Sequence, residues 1–545
     1  MRIASLYIVL TMTFGLFAQK SKSPKLIVGI VVDQMCYEYL YRYQDRFSKD
    51  GFVKLMNKGT HCRNTHYNYV PTFTGPGHAS IYTGTTPNNH GIVGNDWYDR
   101  NSNKSINCVG DSSVSGVGTD SENGNCSPIH LKANTITDQL KLTYPNAKVI
   151  SMSIKDRGAI LPGGHLSNGS YWFDYTSGKF ITSSFYTSKL PFWVEKFNEK
   201  KYPDSALNKT WNTYYPISTY TASEKDNSQY ENILKGKTSP IFPYDFAQMS
   251  QGKKSYDLFT VSPFANTYLT DFAVQSIYNE LLGQDNQTDM LCISYSTPDI
   301  AGHNFGPYSV EIEDMYIRLD LEIARLIKEL ENRVGKDEFV LFLTADHAVV
   351  PVPQYLTDKK LPGGYVFLNE NILQLIDAVK FKFGADLILT EDNNNIYLDQ
   401  EAIENLKLNS SDVEEYIASE IRKWEGIKEV YTRNELRLPS ASSNWNEMIS
   451  LGYHPKESGE VIFMLEPGYL TKNKDNEHAR KGTSHGSAFN YDAHVPLIWY
   501  GKNIKKQEIF RNVNITDITP TLTHLLYLQK PNATTGEPIF EILTK

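Results

Sequence analysis

The chemistry of this chain can be built around Thr74. It stands in the stretch Tyr69-Val-Pro-Thr-Phe-Thr-Gly-Pro-Gly-His-Ala-Ser-Ile-Tyr-Thr-Gly84, on a turn made by Pro71, Gly75, Pro76 and Gly77. A short apolar helical run follows. The hydroxyl is therefore expected at or near a helix N-terminus, where unpaired N–H groups and the macrodipole favour an anion. A threonine hydroxyl is a poor nucleophile until something takes its proton. No Ser/Thr–His–Asp arrangement is readable nearby. The chain offers instead Asp and His residues at the ends of apolar runs: Asp33, Asp299, His303, Asp346, His347 and His485. All are oxygen or nitrogen donors, a set that suits Zn²⁺ in a catalytic site. Asp299 and His303, four apart, can face one point across a helical turn. The reading is that these residues hold two metal ions and that the metals activate Thr74. His61 and His524 are read as structural, and so are His78 and His90 despite their closeness to Thr74.

The elements that must position these groups are short and apolar. Leu26–Val32 is a continuous β-branched run ending at Asp33, the pattern of a central parallel strand buried on both faces. Lys148–Ser153, Met290–Ser294 and Phe339–Leu343 repeat that pattern, and each leads into polar residues. In open parallel α/β sheets, ligands sit beyond the carboxyl ends of the strands, so the scattered residues are expected to converge. A long amphipathic helix is predicted from Ser309 to about Asn332, with Ile312, Met315, Leu319, Ile323, Leu326 and Leu330 on one face. Lys155 and Arg157 follow the strand ending at Ser153. If that segment is extended, alternation points both cations to one side and Asp156 away. Val495–Tyr500 reads as a further core strand, and Ile515–Leu526 as a final turn and helix.

Two stretches differ in character. Residues 160–255 carry few long periodic runs and many aromatics, and are read as a cap-like insertion. Residues 355–470 alternate short strands with a helix and are read as a small α/β insertion. The fold expected is α/β, a mostly parallel sheet flanked by helices and carrying these two insertions.

The chain has 545 residues, 40% hydrophobic and 21% charged, enough for a large core. The net charge of −8 is interspersed, with no basic patch that would suggest nucleic acid. Residues 1–18 read as a secretory signal: Arg2 at the positive end, an apolar run Leu6–Phe17 too short to span a bilayer, and small Ala18 at the cleavage point. No later stretch approaches a membrane span, so an exported, non-integral protein is expected. Export permits disulfides, and Cys108 and Cys126 could close the Gly/Ser/Asn-rich loop between them. The five cysteines leave at least one unpaired within the chain, and Cys292, inside an apolar run, is read as a buried free thiol.

The combination resembles the alkaline phosphatase superfamily, and most of all the bacterial phosphate-irrepressible type of alkaline phosphatase, close to the nucleotide pyrophosphatase/phosphodiesterase branch. The resemblance covers nearly the whole mature chain, residues 24–545. It is carried by VVDQM (31–35), PTFTGPGHASIYTG (71–84), GNDWYD (94–99), SIKDRGAILPGGH (153–165), PDIAGHNFGP (298–307), TADH (344–347) and GTSHGS (482–487). It implies that Asp33, Asp346 and His347 hold one zinc, which also touches the Thr74 oxygen. Asp299, His303 and His485 would hold the other, and Asn95, Lys155 and Arg157 would contact phosphate oxygens. It further implies a periplasmic or secreted enzyme, expected as a monomer, acting on small-molecule phosphate monoesters through a phosphothreonine intermediate. One departure is Ala348, where these families commonly place Gly after the Asp-His pair. A phosphodiesterase or nucleotide pyrophosphatase on the same fold is the nearest rival. A sulfatase lacks its modified Cys or Ser segment here, and a cofactor-independent phosphoglycerate mutase would use Ser. A secreted binding protein with a dead site is opposed by the complete ligand set.

Overall fold

The computed structural model describes residues 23–252, 254–437, 444–476 and 480–543. The stretch read as a secretory signal lies outside the described residues.

The architecture is a mixed α/β fold around an eleven-stranded sheet. Its principal strands, in chain order, are β1 (Leu26–Val32), β2 (Thr60–His66), β3 (Val149–Ser153), β4 (Gly169–Asp174), β5 (Lys179–Ser183), β6 (Asp289–Tyr295), β7 (Phe339–Thr344) and β8 (His494–Gly501). They lie in the order β2-β8-β7-β1-β6-β3-β4-β5, with Gln507–Ile509 outside β2 and Gly116–Val117 outside β5. β1 pairs in parallel with both β6 and β7, and β6 pairs in parallel with β3. The four apolar runs singled out in the sequence are thus four adjacent parallel strands. Leu26 stands opposite Asp289 on one side and Phe339 on the other. All residues of β1, β3, β6 and β7 are buried, as strands covered on both faces require. β8 closes against β7 in antiparallel pairing, and β2 against β8.

Helices cover the sheet. Those used below are α1 (Thr74–Thr83), α2 (Asp156–Gly163), α3 (Thr297–Phe305) and α4 (Val310–Leu330). α4 buries Ile312, Met315, Leu319, Ile323, Leu326 and Leu330 in the main core, the stripe expected from its period. Its start is capped by the Ser309 side chain, which accepts from the Ile312 N–H.

Part of the segment read as a cap is sheet instead. β4 pairs in parallel with β3, and β5 pairs with β4 in antiparallel fashion. Their aromatic side chains, Tyr171, Trp172, Phe173 and Phe180, are buried. The high aromatic content of this stretch reflects packing of the sheet margin against Tyr268 and Phe272.

Residues 364–472 form a separate unit. A four-stranded sheet runs in the order Ile388–Asp392, Asn395–Leu398, Val461–Leu465, Ile427–Thr432. With helices Leu368–Phe383 and Ser410–Ile421 it encloses its own apolar core, which includes Val379, Ile396, Val413, Ile417 and Phe463. The turn at Asn393-Asn394 has both residues at positive φ, 54° and 61°, which Asn tolerates. The five cysteines are buried free thiols, so Cys108 and Cys126 do not close their loop here.

Candidate active site and metal centre

The carboxyl ends of the parallel strands deliver the site. Asp33 follows β1, Lys155 follows β3, α3 with Asp299 and His303 follows β6, and Asp346-His347 follows β7. His485 arrives on the segment before β8. Thr74 is the first residue of α1, with Phe73 at the cap position in an extended conformation. The hydroxyl is therefore at a helix N-terminus, as expected from the Gly/Pro turn. Asn95 Oδ1 accepts from the Gly75 N–H at 2.8 Å, which fixes the amide beside the nucleophile's turn.

The distances join most of these groups into one cluster. Thr74 Oγ1 lies 3.4 Å from His347 Nε2 and 3.5 Å from Lys155 Nζ. His347 Nε2 lies 3.3 Å from Asp33 Oδ1 and 3.7 Å from Asp346 Oδ2. Asp299 Oδ1 lies 3.2 Å from His303 Nε2 and 3.5 Å from His485 Nε2. Lys155 Nζ bridges the two sides, 2.7 Å from Asp33 Oδ2 and in direct contact with Asp299.

Arg157 makes no ion pair with these carboxylates, although Asp33 acts on it electrostatically. The helix α2 begins at Asp156, so Lys155 and Arg157 do not share an extended segment. The expected strand alternation fails, because Lys155 is the extended cap residue and Arg157 lies within the helix. Arg157 Nη1 contacts Asp156 Oδ1 at 3.3 Å, while its Nε is buried without a hydrogen-bond partner.

Three features show that the donors fit metal ions. First, their ligand atoms converge. Asp33, Asp346 and His347 form one group, and Asp299, His347 and His485 form another, with atoms within 4.8 Å of one another in each. The second group draws in His347, whereas His303 reaches Asp299 from the side. Second, each imidazole is fixed through its other nitrogen. Nδ1 of His303, His347 and His485 meets the backbone carbonyl of Thr483 (2.9 Å), Ala348 (2.9 Å) and Thr72 (2.8 Å) respectively. A carbonyl accepts only, so Nδ1 carries the proton and Nε2 is directed at the site, the arrangement of metal-ligating histidine. Third, Asp33 Oδ1 and Asp346 Oδ2 are buried with no hydrogen-bond partner. A buried carboxylate oxygen left in that state is costly unless a cation meets it.

The electrostatics point the same way. Three buried carboxylates face one partly buried lysine. Burial and Asp299 raise the Asp33 carboxyl, but Lys155 and His347 outweigh them and hold it at about 2. Burial and Asp33 push Asp346 well above the usual carboxylate range. Burial lowers His347, yet Asp346 and Asp33 lift it to about 9. Burial and the neighbouring His347 lower His485 to about 3. Asp346 and His347 thus hold protons where the geometry offers a position for a cation.

His78 flanks the reacting centre, with Nδ1 3.4 Å from Asp346 Oδ2, whereas His90 is held outside it. His78 bonds the Thr74 carbonyl and the Ser294 hydroxyl, both at 2.9 Å, and His90 bonds Ser80 Oγ at 2.9 Å. Two functional neighbours escaped sequence reasoning. Gln34, at φ 65°, donates Nε2–H to Asp299 Oδ1 at 2.6 Å and its backbone N–H to Asp346 Oδ1 at 3.2 Å. Its side chain needs Gly302, where a Cβ would meet Gln34 Oε1 at 1.8 Å. Asp492 accepts from the Gly486 and Ser487 N–H groups at 3.1 and 2.8 Å, holding the turn that presents His485. Neither residue lies at the end of an apolar run, so no periodicity marked it.

With this geometry in view, comparisons with known proteins place the chain. The family model for type I phosphodiesterase / nucleotide pyrophosphatase matches residues 27–488. Alkaline phosphatase PafA of Elizabethkingia meningoseptica is 40% identical over 98% of this chain and 98% of its own. Alkaline phosphatase PhoV of Synechococcus elongatus is 38% identical over 97% of this chain and 94% of its own. A crystal structure of wild-type alkaline phosphatase PafA superimposes with a TM-score of 0.91 at 39% identity, over 96% of this chain and 99% of that one. Among the described residues, no helix is long and apolar enough to cross a membrane. The chain belongs to the type I phosphodiesterase / nucleotide pyrophosphatase family, within the alkaline phosphatase superfamily.

Proposed function

We propose that this protein is an exported alkaline phosphatase, a phosphoric-monoester hydrolase that uses Thr74 as nucleophile and two zinc ions. The observation that carries the reading is the position of the Thr74 hydroxyl. It sits at a helix N-terminus within 3.5 Å of both the Lys155 ammonium and a metal-type histidine.

Asp33, Asp346 and His347 would hold one zinc, and Asp299, His303 and His485 the other. When bound, the ions supply Lewis acidity that lowers the pKa of a coordinated hydroxyl and stabilises the attacking and leaving oxygens. The chain's own residues do the rest. Thr74 Oγ attacks phosphorus in line, forming a threonine–phosphorus bond as the ester bond breaks. The positive end of the α1 dipole and the Lys155 charge favour the phosphoryl oxygens there. Lys155 stays charged: burial disfavours its ammonium, but Asp299 and Asp33 more than restore it. Asn95, whose oxygen accepts from the Gly75 N–H, would offer its N–H₂ group to a phosphate oxygen. Arg157 adds a second cation. Water then attacks the phosphothreonine from the side the alcohol left, and phosphate departs. Two cations suit a dianionic monoester better than a diester, which carries one charge and a second substituent.

The test is a matched pair of aryl phosphate substrates, monoester and diester, assayed on mature protein of measured metal content. A higher kcat/KM for the monoester, with about two zinc ions per chain, is the expected result. A preference for the diester would replace this reading by phosphodiesterase.

A further inference from the structure

The corner where α3 ends at Phe305 and α4 begins at Val310 holds carboxylates that the reaction does not use. Glu311 stands in the first turn of α4, where the positive end of the helix dipole makes an acid ordinary. Its burial is not ordinary. Glu311 is 0% exposed, and Glu231, on a segment packed against this corner, is 1% exposed. Oε2 of each is buried without a hydrogen-bond partner. Oε1 of Glu311 accepts from the Tyr244 hydroxyl at 2.5 Å, and the Tyr244 ring packs on Phe242 and Phe305, so the surroundings are apolar. The charge of Glu311 acts on Glu231, and Asp226 adds a third negative charge that acts on both. Nothing positive acts on Glu231. Lys237, which acts on Asp226, gives its ammonium to the Ile241 and Pro243 carbonyls at 2.7 and 2.9 Å. Two buried carboxylate oxygens thus lack both a donor and a cation, which is costly.

The space beside Glu231 is small. A cavity of about 10 Å³ is lined by Glu231, Tyr230, Gly306 and Ser309 among others, room for about one water-sized group. The donors on offer are all oxygen: carboxylates, the Tyr244 phenol and backbone carbonyls. Such a set suits a hard cation rather than zinc. Magnesium keeps several of its waters, for which this cavity has no room, whereas calcium accepts oxygen ligands in flexible arrangements. The segment that carries Glu231 is also tied to the parts that hold His303. Asn232 N–H donates to the Asn304 carbonyl, and Gly482 N–H donates to the Tyr230 carbonyl, both at 2.9 Å. Thr483, next to Gly482, accepts from His303 Nδ1.

We propose that Glu231 and Glu311, with Asp226 supplying further charge, bind one calcium ion that clips the segment 224–245 onto the corner between α3 and α4. The ion supplies the missing partner of each Oε2 and offsets the repulsion among the carboxylates. In calcium-free buffer the pair must hold protons instead. The site shares no residue with the Thr74 cluster and does not depend on the monoesterase reading.

The experiment is a calorimetric titration of calcium chloride into zinc-loaded mature protein in calcium-free buffer, with Tm followed over the same concentrations. The expected result is a single calcium bound per chain and a Tm that rises by about 1–2 °C for each tenfold of calcium above the Kd, the size expected for a chain of this length. Glu231→Gln and Glu311→Gln keep the side-chain shape and remove the charge. Each should weaken calcium binding by about tenfold or more and suppress the rise in Tm. Both variants should fold, since a neutral group is what this setting tolerates without an ion, and their own melting transitions show it. If one fails to fold, the other carries the test. Magnesium should shift Tm less. No bound calcium and an unchanged Tm in the parent would overturn the proposal, and so would equal calcium binding by parent and variants. An equal response to magnesium would overturn the choice of calcium. Neither readout involves hydrolysis, so failure of the phosphatase reading leaves the test standing.

Discussion

The imidazole rings of His347 and His485 lie face to face, 3.5 Å between centroids and 15° between planes. One ring belongs to the donor group with Asp33 and Asp346, and both belong to the group with Asp299. The two halves of the site are therefore in contact through their ligands, and losing one imidazole is felt by both. His485→Ala is expected to lower metal content at both positions, and affinity by more than the ~10–100-fold typical of an outer partner. Metal analysis after dialysis checks this, with far-ultraviolet circular dichroism confirming that the variant is folded. Loss of one ion with the other fully retained would show independent sites.

Metal removal should be visible in stability as well as in rate. A strong chelator leaves Asp33, Asp299 and Asp346 buried around one lysine. The chelated protein is expected to melt earlier, and added zinc should raise Tm with concentration, as binding to the native state alone requires. Activity should return with zinc. Full activity in protein shown to be metal-free would end the mechanism.

Thr74→Ala should abolish covalent turnover while phosphate still binds, because Lys155, Asn95 and the donor groups remain. Thr74→Ser should retain part of the activity, since the oxygen is kept. Mass spectrometry of acid-quenched enzyme should locate phosphate on Thr74. Phosphate on Thr72, whose hydroxyl donates to the Ser487 carbonyl at 2.9 Å, would identify a different nucleophile.

Lys155→Ala and Arg157→Ala are each expected to lower monoester kcat/KM by ~10²–10³, the loss typical of one transition-state contact. Diester hydrolysis should fall less. Lys155→Ala should also weaken folding, since it leaves Asp33 and Asp299 without their shared cation. Arg157→Ala, whose partner is the half-buried Asp156, should not. Equal losses on both substrates would assign the pair to support of the site rather than to charge recognition.

A buried carboxyl pair lies away from the reaction. Glu231 and Glu311 are buried, each with one unpartnered oxygen, and Tyr244 donates to Glu311 at 2.5 Å. Burial, Glu311 and Asp226 push the Glu231 carboxyl far above its usual 4.5, and burial pushes Glu311 to about 8. A raised folded value means that the folded state binds more protons than the unfolded. The stability this pair contributes is full below pH 4.5 and is lost as pH rises through the folded values. Glu231→Gln stays neutral, so its Tm should rise relative to the parent as pH goes from about 6 to 9, above the unfolded carboxyl value of 4.5 and below the folded value of about 11. A constant difference across that range would show that the pair does not titrate with folding.

The core of this fold was legible because β1, β3, β6 and β7 are buried on both faces and read as unbroken apolar runs. The polar residues ending them were legible for the same reason. Lys155 and Arg157 were placed on one side because nothing marks the start of α2: its cap residue, Lys155, makes no capping hydrogen bond. β4 and β5 were taken for a cap because their aromatic content hid a two-residue alternation, every position of β4 being buried. Gln34 was missed because its role depends on a positive φ, which no residue type at that position announces.

The site draws on residues far apart along the chain. Gln34 meets Asp346 across 312 positions, and Thr72 meets His485 across 413. Closing such loops is slow, so these contacts form late in folding. The donor groups cannot exist as a set until the segment before β8 has docked. A chain released before that point would hold an incomplete cluster. Zinc uptake, if the proposed centre forms, would then report when the two halves of the chain have met.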